Sequence, residues 1–168
     1  MKKDNWILKA FLMTFFIALI FSSASNYLIS KFSNTILLIV LCATFIGIGI
    51  LFDIVGTAVL TANEASFHAK SAKKIKGSKE GVYLVKNSST IASICNDVIG
   101  DICGIVSGSL GAMLAINIST KFNFSTVIIT LLVSSIISSL TVGGKAIGKK
   151  QAIKNSDAII FIAAKVLS

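Results

Sequence analysis

Long apolar runs, separated by basic polar stretches, make up most of this chain. The first run extends from Trp6 to Phe21, and three longer runs follow at residues 35–60, 90–118 and 124–143. A helix needs about 20 residues to cross the hydrocarbon layer of a bilayer, so each longer run predicts a membrane span. With the first run included, the pattern predicts an all-α, polytopic membrane protein with four spans.

The N-terminal segment, residues 1–24, allows two interpretations. The basic start and the small residues around Ala24 fit a signal peptide that is cleaved after Ala24. The same segment fits a retained first span, in which Lys9 extends to the cytoplasmic interface. The four-span prediction adopts the second interpretation.

Two basic segments flank the later spans. Residues 63–89 carry six lysines and predict a cytoplasmic linker of two short helices joined at Gly77-Ser78. Residues 145–168 begin with lysines and end in an apolar stretch that is too short to span, which predicts an interfacial helix. Residues 35–168 are therefore expected to form a single transmembrane domain.

Composition and charge support a membrane location. The chain is 54% hydrophobic and 14% charged, with a net charge of +9, whereas soluble domains carry about 25% charged residues. The four-span arrangement places every lysine except Lys31 and Lys121 on the cytoplasmic side. The positive-inside rule therefore predicts the cell inner (plasma) membrane, with both termini cytoplasmic. Lysines between spans contact anionic lipid, so the bilayer is the expected partner and nucleic acid is not.

Acidic side chains lie within the apolar runs. Asp53 is near the end of the second span, and Asp97 and Asp101 are four residues apart on the third, beside Asn96. A carboxylate in hydrocarbon costs a few kcal/mol or more unless it is paired, hydrated or bound to a cation. Because oxygen ligands suit Mg²⁺ and similar hard cations, these four residues predict a metal site in the inner half of the membrane. The alternative for Asp53 is solvation at the interface.

Small residues recur at every fourth position of the third span, at Gly100, Gly104, Gly108 and Ala112. This spacing lets a neighbouring membrane helix approach to backbone contact, so it predicts a helix-packing face.

Enzymatic chemistry is not indicated. The three cysteines, at positions 42, 95 and 103, lie inside apolar runs and are expected to be small packing residues. His68 is expected to be a plain surface residue, and neither a Ser/His/Asp set nor a phosphate loop is found in the sequence.

Four segments in order resemble one family. Phe52-Asp53-Ile54-Val55-Gly56-Thr57-Ala58-Val59 resembles the F-S-G-S-E-T-A-L that opens the membrane domain of the cyclin M and CorB/CorC magnesium–cobalt efflux proteins. Gly77 and Lys86-Asn87 resemble the G-x-K…L-L-x-N that follows there. Ser89-Thr90-Ile91 and then Asp97-Val98-Ile99-Gly100-Asp101-Ile102 resemble S-T-I and N-N-L-V-N-I. Gly144-Lys145-Ala146-Ile147-Gly148-Lys149 resembles G-E-V-L-P-K. The likeness extends from about residue 35 to the last residue, without counterparts of the CBS and C-terminal domains.

The resemblance implies a dimeric three-span core that binds Mg²⁺ between helices. It places Asp53 or Val55 at the family's serine ligand and Asp97 and Asp101 at its asparagines, and it adds Gly100 through its backbone. The chain departs from the family where Gly56 and Lys145 replace glutamates.

Two functions are therefore expected. The first is the core of a divalent cation (Mg²⁺/Co²⁺) transporter, present as a homodimer. The alternative is a non-transporting membrane scaffold or subunit that associates with a membrane or cytoplasmic protein partner. In that case the acidic residues would pair with Lys145 or stay protonated, and the glycine face would be a subunit interface.

Overall fold

The computed structural model describes residues 2–31 and 34–168, and this part of the chain is helical throughout apart from short connections. The helices are α1 (Lys2–Lys31), α2 (Thr35–Thr61), α3 (Glu64–Ala72), α4 (Ser78–Lys86), α5 (Ser88–Ser93), a π-helical turn (Ile94–Gly100), α6 (Asp101–Phe122), α7 (Thr126–Lys154) and α8 (Ser156–Leu167). The predicted all-α class is confirmed, and the two short helices predicted around Gly77-Ser78 are present as α3 and α4.

Three stretches of helix are long and apolar enough to cross a membrane: Thr35–Thr61, Ser88–Phe122 and Thr126–Lys154. The apolar part of α1, Phe11–Ala24, is shorter. A helical membrane protein with three membrane-length helices therefore fits the structure. The N-terminal span, which would bring the number to four, stays a prediction.

Two helix boundaries differ from the sequence prediction. α1 continues to Lys31, ten residues beyond the end of the first apolar run at Phe21. α7 passes the predicted end at residue 143 and continues to Lys154, so α8 is the only separate helix in the expected interfacial segment. Glycine weakens a helix by about 1 kcal/mol relative to alanine, but here Gly144 gives room to the side chain of Ile50, and packing outweighs propensity.

The chain divides into two compact units. One contains Met1–Gly49 and Asp101–Val142, and the other contains Ile50–Gly100 and Gly143–Ser168. In the first unit α1 packs against α6. A Cβ at Gly111 of α6 would overlap Ile137 of α7, so glycine is needed for this close helix contact.

The second unit contains the juxtamembrane helices. α4 packs against both α3 and α8. The core of this unit is formed by small and branched apolar side chains and one aromatic ring: Ala58, Val59, Phe67, Leu84, Val85, Ala92, Ala152, Ile160 and Ala164. Asn63 caps α3 by accepting a hydrogen bond from the Ala65 N–H at 3.0 Å, and its own N–H donates to Asp157 at 2.8 Å. These two hydrogen bonds connect the end of α2 and the start of α3 to the start of α8.

The three cysteines are free and buried, as expected of packing residues. Cys42 donates a 3.5 Å hydrogen bond from Sγ to the Ser107 carbonyl. His68 is exposed and lies 3.2 Å from Glu64 on the surface of α3, which agrees with its expected surface role.

Candidate functional site

A buried carboxylate lies between α2 and the C-terminal part of α7. Asp53 is 2% exposed. Lys145 Nζ lies 3.9 Å from its Oδ1, and Lys149 Nζ lies 3.6 Å from its Oδ2. The Lys145 side chain is 21% exposed and that of Lys149 is 49% exposed. We call these three residues the Asp53 cluster, and its formal charges sum to a surplus of one positive charge.

Two glycines on α7 bring the lysines to Asp53. A Cβ at Gly148 would lie 2.7 Å from Ile54 on α2, and a Cβ at Gly144 would overlap Ile50. Each lysine of the Asp53 cluster follows one of these glycines directly in the sequence. The same stretch of α7 therefore lets α7 approach α2 closely and places the two lysines beside Asp53.

The positive groups beside Asp53 are lysines. The sequence predicts a metal ion at this position and solvation as the alternative, and the burial of Asp53 shows that the solvated alternative is wrong. A buried carboxylate needs a counter-charge, and two ammonium groups lie within 4 Å of this one, although Asp53 Oδ2 has no hydrogen-bond partner among the described residues. The metal-ligand role of Asp53 stays a prediction.

A π-helical turn occupies Ile94–Gly100, at the end of the α5 helix. N–H groups in this turn bond five residues back instead of four, which changes the angle between successive side chains. The shared face of Asp97 and Asp101, and the place of Gly100 on the packing face, stay predictions. Single π-helical turns occur frequently at functional sites.

Asn96, in this turn, has a buried side-chain oxygen without a hydrogen-bond partner among the described residues. The oxygen is directed at Gly56 of α2, where any Cβ would overlap the Asn96 amide. Leaving such a group unsatisfied costs about 1–3 kcal/mol. A cation that accepts this oxygen as a ligand would remove the cost.

A polar groove opens beside Asn96. Its volume is about 380 Å³, and it is lined by Leu60, Ser89, Ala92, Ser93, Asn96 and Asp97. Asp97 is exposed, and its Oδ2 accepts a 2.8 Å hydrogen bond from the Ser93 hydroxyl. We call this the Asn96–Asp97 groove. Carboxylate, amide and hydroxyl oxygens are the ligands that hard divalent cations prefer.

The remaining predicted ligands lie elsewhere in the same helix. Gly100 is buried in the π-helical turn, and Asp101 is exposed at the start of α6. Within residues 2–31 and 34–168, no group of three or more His, Cys, Asp or Glu side chains is placed to hold a metal. A cation in the groove would therefore meet one carboxylate, Asp97, together with neutral oxygens and water.

Sequence reasoning missed Ser93 and Ser89. Their signal is their position four and eight residues before Asp97, a spacing that places them near one helix face. It also missed the charge partner Lys149, whose signal is the repeat of glycine followed by lysine at positions 144 and 148.

The predicted helix-packing face has open space beside its glycines in the described part of the chain. A Cβ at Gly104 or Gly108 would meet no heavy atom within 4 Å, and Ala112 is exposed. The close helix contact is made by Gly111 instead. The role of this face as a subunit interface stays a prediction.

No family model, curated protein or solved structure matches the chain. The resemblance to the cyclin M and CorB/CorC proteins therefore stays a prediction, and the geometry of the site carries the functional argument.

Proposed function

We propose that this chain is a multi-pass protein of the plasma membrane that binds a hard divalent cation, Mg²⁺ or Co²⁺, in the Asn96–Asp97 groove as the core of a transporter. The observation that carries the proposal is the buried oxygen of Asn96, which has no hydrogen-bond partner among the described residues, in a residue that lines the same groove as Asp97. It is an oxygen ligand already positioned in the protein, next to a negative charge.

The groove suits an ion that keeps part of its hydration shell. Mg²⁺ is bound in proteins by one or two carboxylates and usually retains several waters. Asp97 supplies the carboxylate, and the Asn96 amide and Ser93 hydroxyl supply neutral oxygens. The open groove leaves room for water, and the absence of sulfur and imidazole from its lining disfavours soft metals.

The proposal includes the topology and assembly that the sequence predicts. α1 crosses the membrane as the N-terminal span and brings the number of spans to four. Both termini are cytoplasmic, and two copies pair as a homodimer. The lysine distribution supports the orientation. The open face at Gly104 and Gly108 supports the dimer, because a second helix could approach it to backbone contact.

Two measurements test the cation site. Thermal unfolding of the detergent-solubilised chain is followed with and without Mg²⁺, and flux into liposomes is followed with a divalent-sensitive dye. At an ion concentration 100 times Kd, binding adds about 2.7 kcal/mol, which corresponds to a rise of roughly 5–10 °C in Tm for a chain of this size.

The Asp97→Asn variant should lose half of this rise or more, because an affinity reduced by the roughly 10–100-fold that loss of an outer-shell partner costs leaves about 0.4–1.4 kcal/mol of stabilisation at the same ion concentration. Glu64→Gln is the matched control, because it removes one surface carboxylate outside the groove. If Asp97→Asn keeps the wild-type Mg²⁺ response, the groove is not the cation site.

A second candidate is the non-transporting scaffold, which the Asp53 cluster favours because lysines already neutralise the most buried carboxylate. In that case a partner protein should co-purify in fixed ratio, and Mg²⁺ should change neither Tm nor flux. A Mg²⁺-dependent rise in Tm that Asp97→Asn at least halves would exclude this candidate.

A further inference from the structure

The turn between α3 and α4 is basic and held in a defined shape. It contains Lys73, Lys74 and Lys76, and its backbone takes positive φ at Lys74 (55°) and Gly77 (85°). A Cβ at Gly77 would lie 3.0–3.2 Å from atoms of Lys165 on α8. The turn therefore rests directly on α8, which limits where its lysines can be.

A basic pocket of about 440 Å³ forms at this turn. Three of its lining residues are Lys74, Lys76 and Lys79, and Glu80 is the acidic side chain in the lining. The lining side chains thus carry a surplus of two positive charges. An anion bound in this pocket would be attracted by the ammonium groups that line it.

An apolar groove of about 390 Å³ adjoins the basic pocket. The two share Lys79 and Glu80, and the groove continues along Tyr83, Leu84 and Leu167. Tyr83 and Leu167 are each 66% exposed, although both present large apolar surfaces. A site with a cationic end and an adjacent apolar channel matches a molecule with an anionic head and a hydrocarbon tail.

The connectivity keeps α3, α4 and α8 next to the membrane-length helices. α3 begins three residues after the membrane-length α2 ends at Thr61. α4 ends at Lys86, two residues before the helical stretch that begins at Ser88, and α8 begins two residues after α7 ends. These short links hold the start of α3, the end of α4 and the start of α8 at the ends of the membrane-length helices.

We infer that the α3–α4 turn binds one anionic phospholipid of the bilayer, with the headgroup phosphate among Lys74, Lys76 and Lys79 and an acyl chain along Tyr83 and Leu167. The lysine stems can lie along the acyl region while their ammonium groups meet the phosphate. The apolar groove favours a lipid over a soluble phosphate or nucleic acid, because neither has a hydrocarbon tail to fill it. This inference is independent of the cation site.

The test uses the full chain in a nonionic detergent, titrated with a fluorescent phosphatidylglycerol. Wild type should show one saturable site per chain, which phosphatidylcholine and inorganic phosphate do not compete for at equal concentration. The triple variant Lys74→Gln, Lys76→Gln, Lys79→Gln should bind more weakly by on the order of 100-fold, at about fivefold per lysine.

The matched control is Lys86→Gln, Lys150→Gln, Lys154→Gln, which removes three exposed lysines outside the pocket. It should change binding less than about threefold, and both triple variants should keep the wild-type elution volume and helicity. Equal losses in the two triple variants would show diffuse charge attraction and overturn the inference. Competition by inorganic phosphate as strong as by unlabelled phosphatidylglycerol would assign the pocket to a soluble anion and overturn it as well.

Two single variants test the two halves of the site separately. Glu80→Gln removes the acidic side chain that lines both pockets and should tighten phosphatidylglycerol binding severalfold. Tyr83→Ser shortens the apolar groove and should weaken binding of the long-chain lipid while leaving short-chain phosphatidylglycerol unaffected. If Glu80→Gln weakens binding, or Tyr83→Ser acts equally on both chain lengths, the proposed lipid position is wrong.

Discussion

Replacing Asp53 by alanine removes the counter-ion that Lys145 and Lys149 share. Loss of one partner of a fully buried ion pair costs about 3–5 kcal/mol, because a charge is left buried. Lys149 is half exposed, so water stabilises its ammonium group and its share of the cost is below about 1 kcal/mol. The Lys145 side chain is 21% exposed, so water stabilises its ammonium group less than that of Lys149. We expect Asp53→Ala to lower the free energy of unfolding by about 2–3 kcal/mol.

The other variants of the Asp53 cluster should differ in how far they lower the free energy of unfolding. Lys149→Gln should cost less than about 1 kcal/mol, because Lys145 still neutralises Asp53. Lys145→Gln should cost more than Lys149→Gln, because the more buried partner is lost. The triple variant Asp53→Leu, Lys145→Met, Lys149→Met should return close to wild-type stability, since well-packed apolar residues can replace a buried ion pair without loss.

Unfolding in detergent, with and without Mg²⁺, measures these differences. If Asp53 serves the lysines alone, Asp53→Ala lowers stability equally in both conditions and keeps the Mg²⁺-dependent rise in Tm. Asp97→Asn is the matched comparison and should do the reverse, with little change in the absence of Mg²⁺ and a rise in Tm at most half that of wild type in its presence. An Asp53→Ala variant as stable as wild type would refute the ion-pair reasoning, and one that alone loses the Mg²⁺ response would make Asp53 a metal ligand.

Three further predictions concern packing, and unfolding in detergent measures all of them. Gly111→Leu should destabilise by about 1–3 kcal/mol, because its side chain would overlap Ile137, whereas Gly108→Leu meets open space and should be neutral in the single chain. Phe67→Ala should cost about 3–5 kcal/mol, since Phe67 is completely buried in the juxtamembrane core. Gly77→Ala should cost about 1–2 kcal/mol for its left-handed backbone. A destabilised Gly108→Leu monomer, or neutral Gly111→Leu, Phe67→Ala and Gly77→Ala variants, would contradict these contacts.

The helical class and the three membrane-length helices could be predicted because each depends on the length and polarity of a contiguous run. A largely apolar run of 27 residues, such as Thr35–Thr61, has few alternatives to a membrane-length helix. The turn at Gly77-Ser78 was predictable for a similar local reason, since glycine takes the positive φ that the turn requires.

The details of the site depend on register and on contacts distant in sequence, and these could not be predicted. The π-helical turn changes the angular spacing around Asn96, and no local sequence rule reports it. The close approach of Gly56 to Asn96 joins residues 40 positions apart. The predicted packing face includes Gly108 and not Gly111, and only the position of Ile137 shows that Gly111 makes the helix contact.

Asp53 and Asp97, both in the second unit, differ in how the protein stabilises their negative charge. This difference distinguishes a structural role from a functional one. Asp53 is buried and has two lysines beside it, so its charge is met by the chain itself. Asp97 is exposed to an open groove and is bonded to a serine hydroxyl, which offers no positive charge. A bound cation would be redundant at the first position and would supply the missing charge at the second. Any cation-dependent behaviour of this protein should therefore follow Asp97 and Asn96 and should be largely insensitive to the lysines around Asp53.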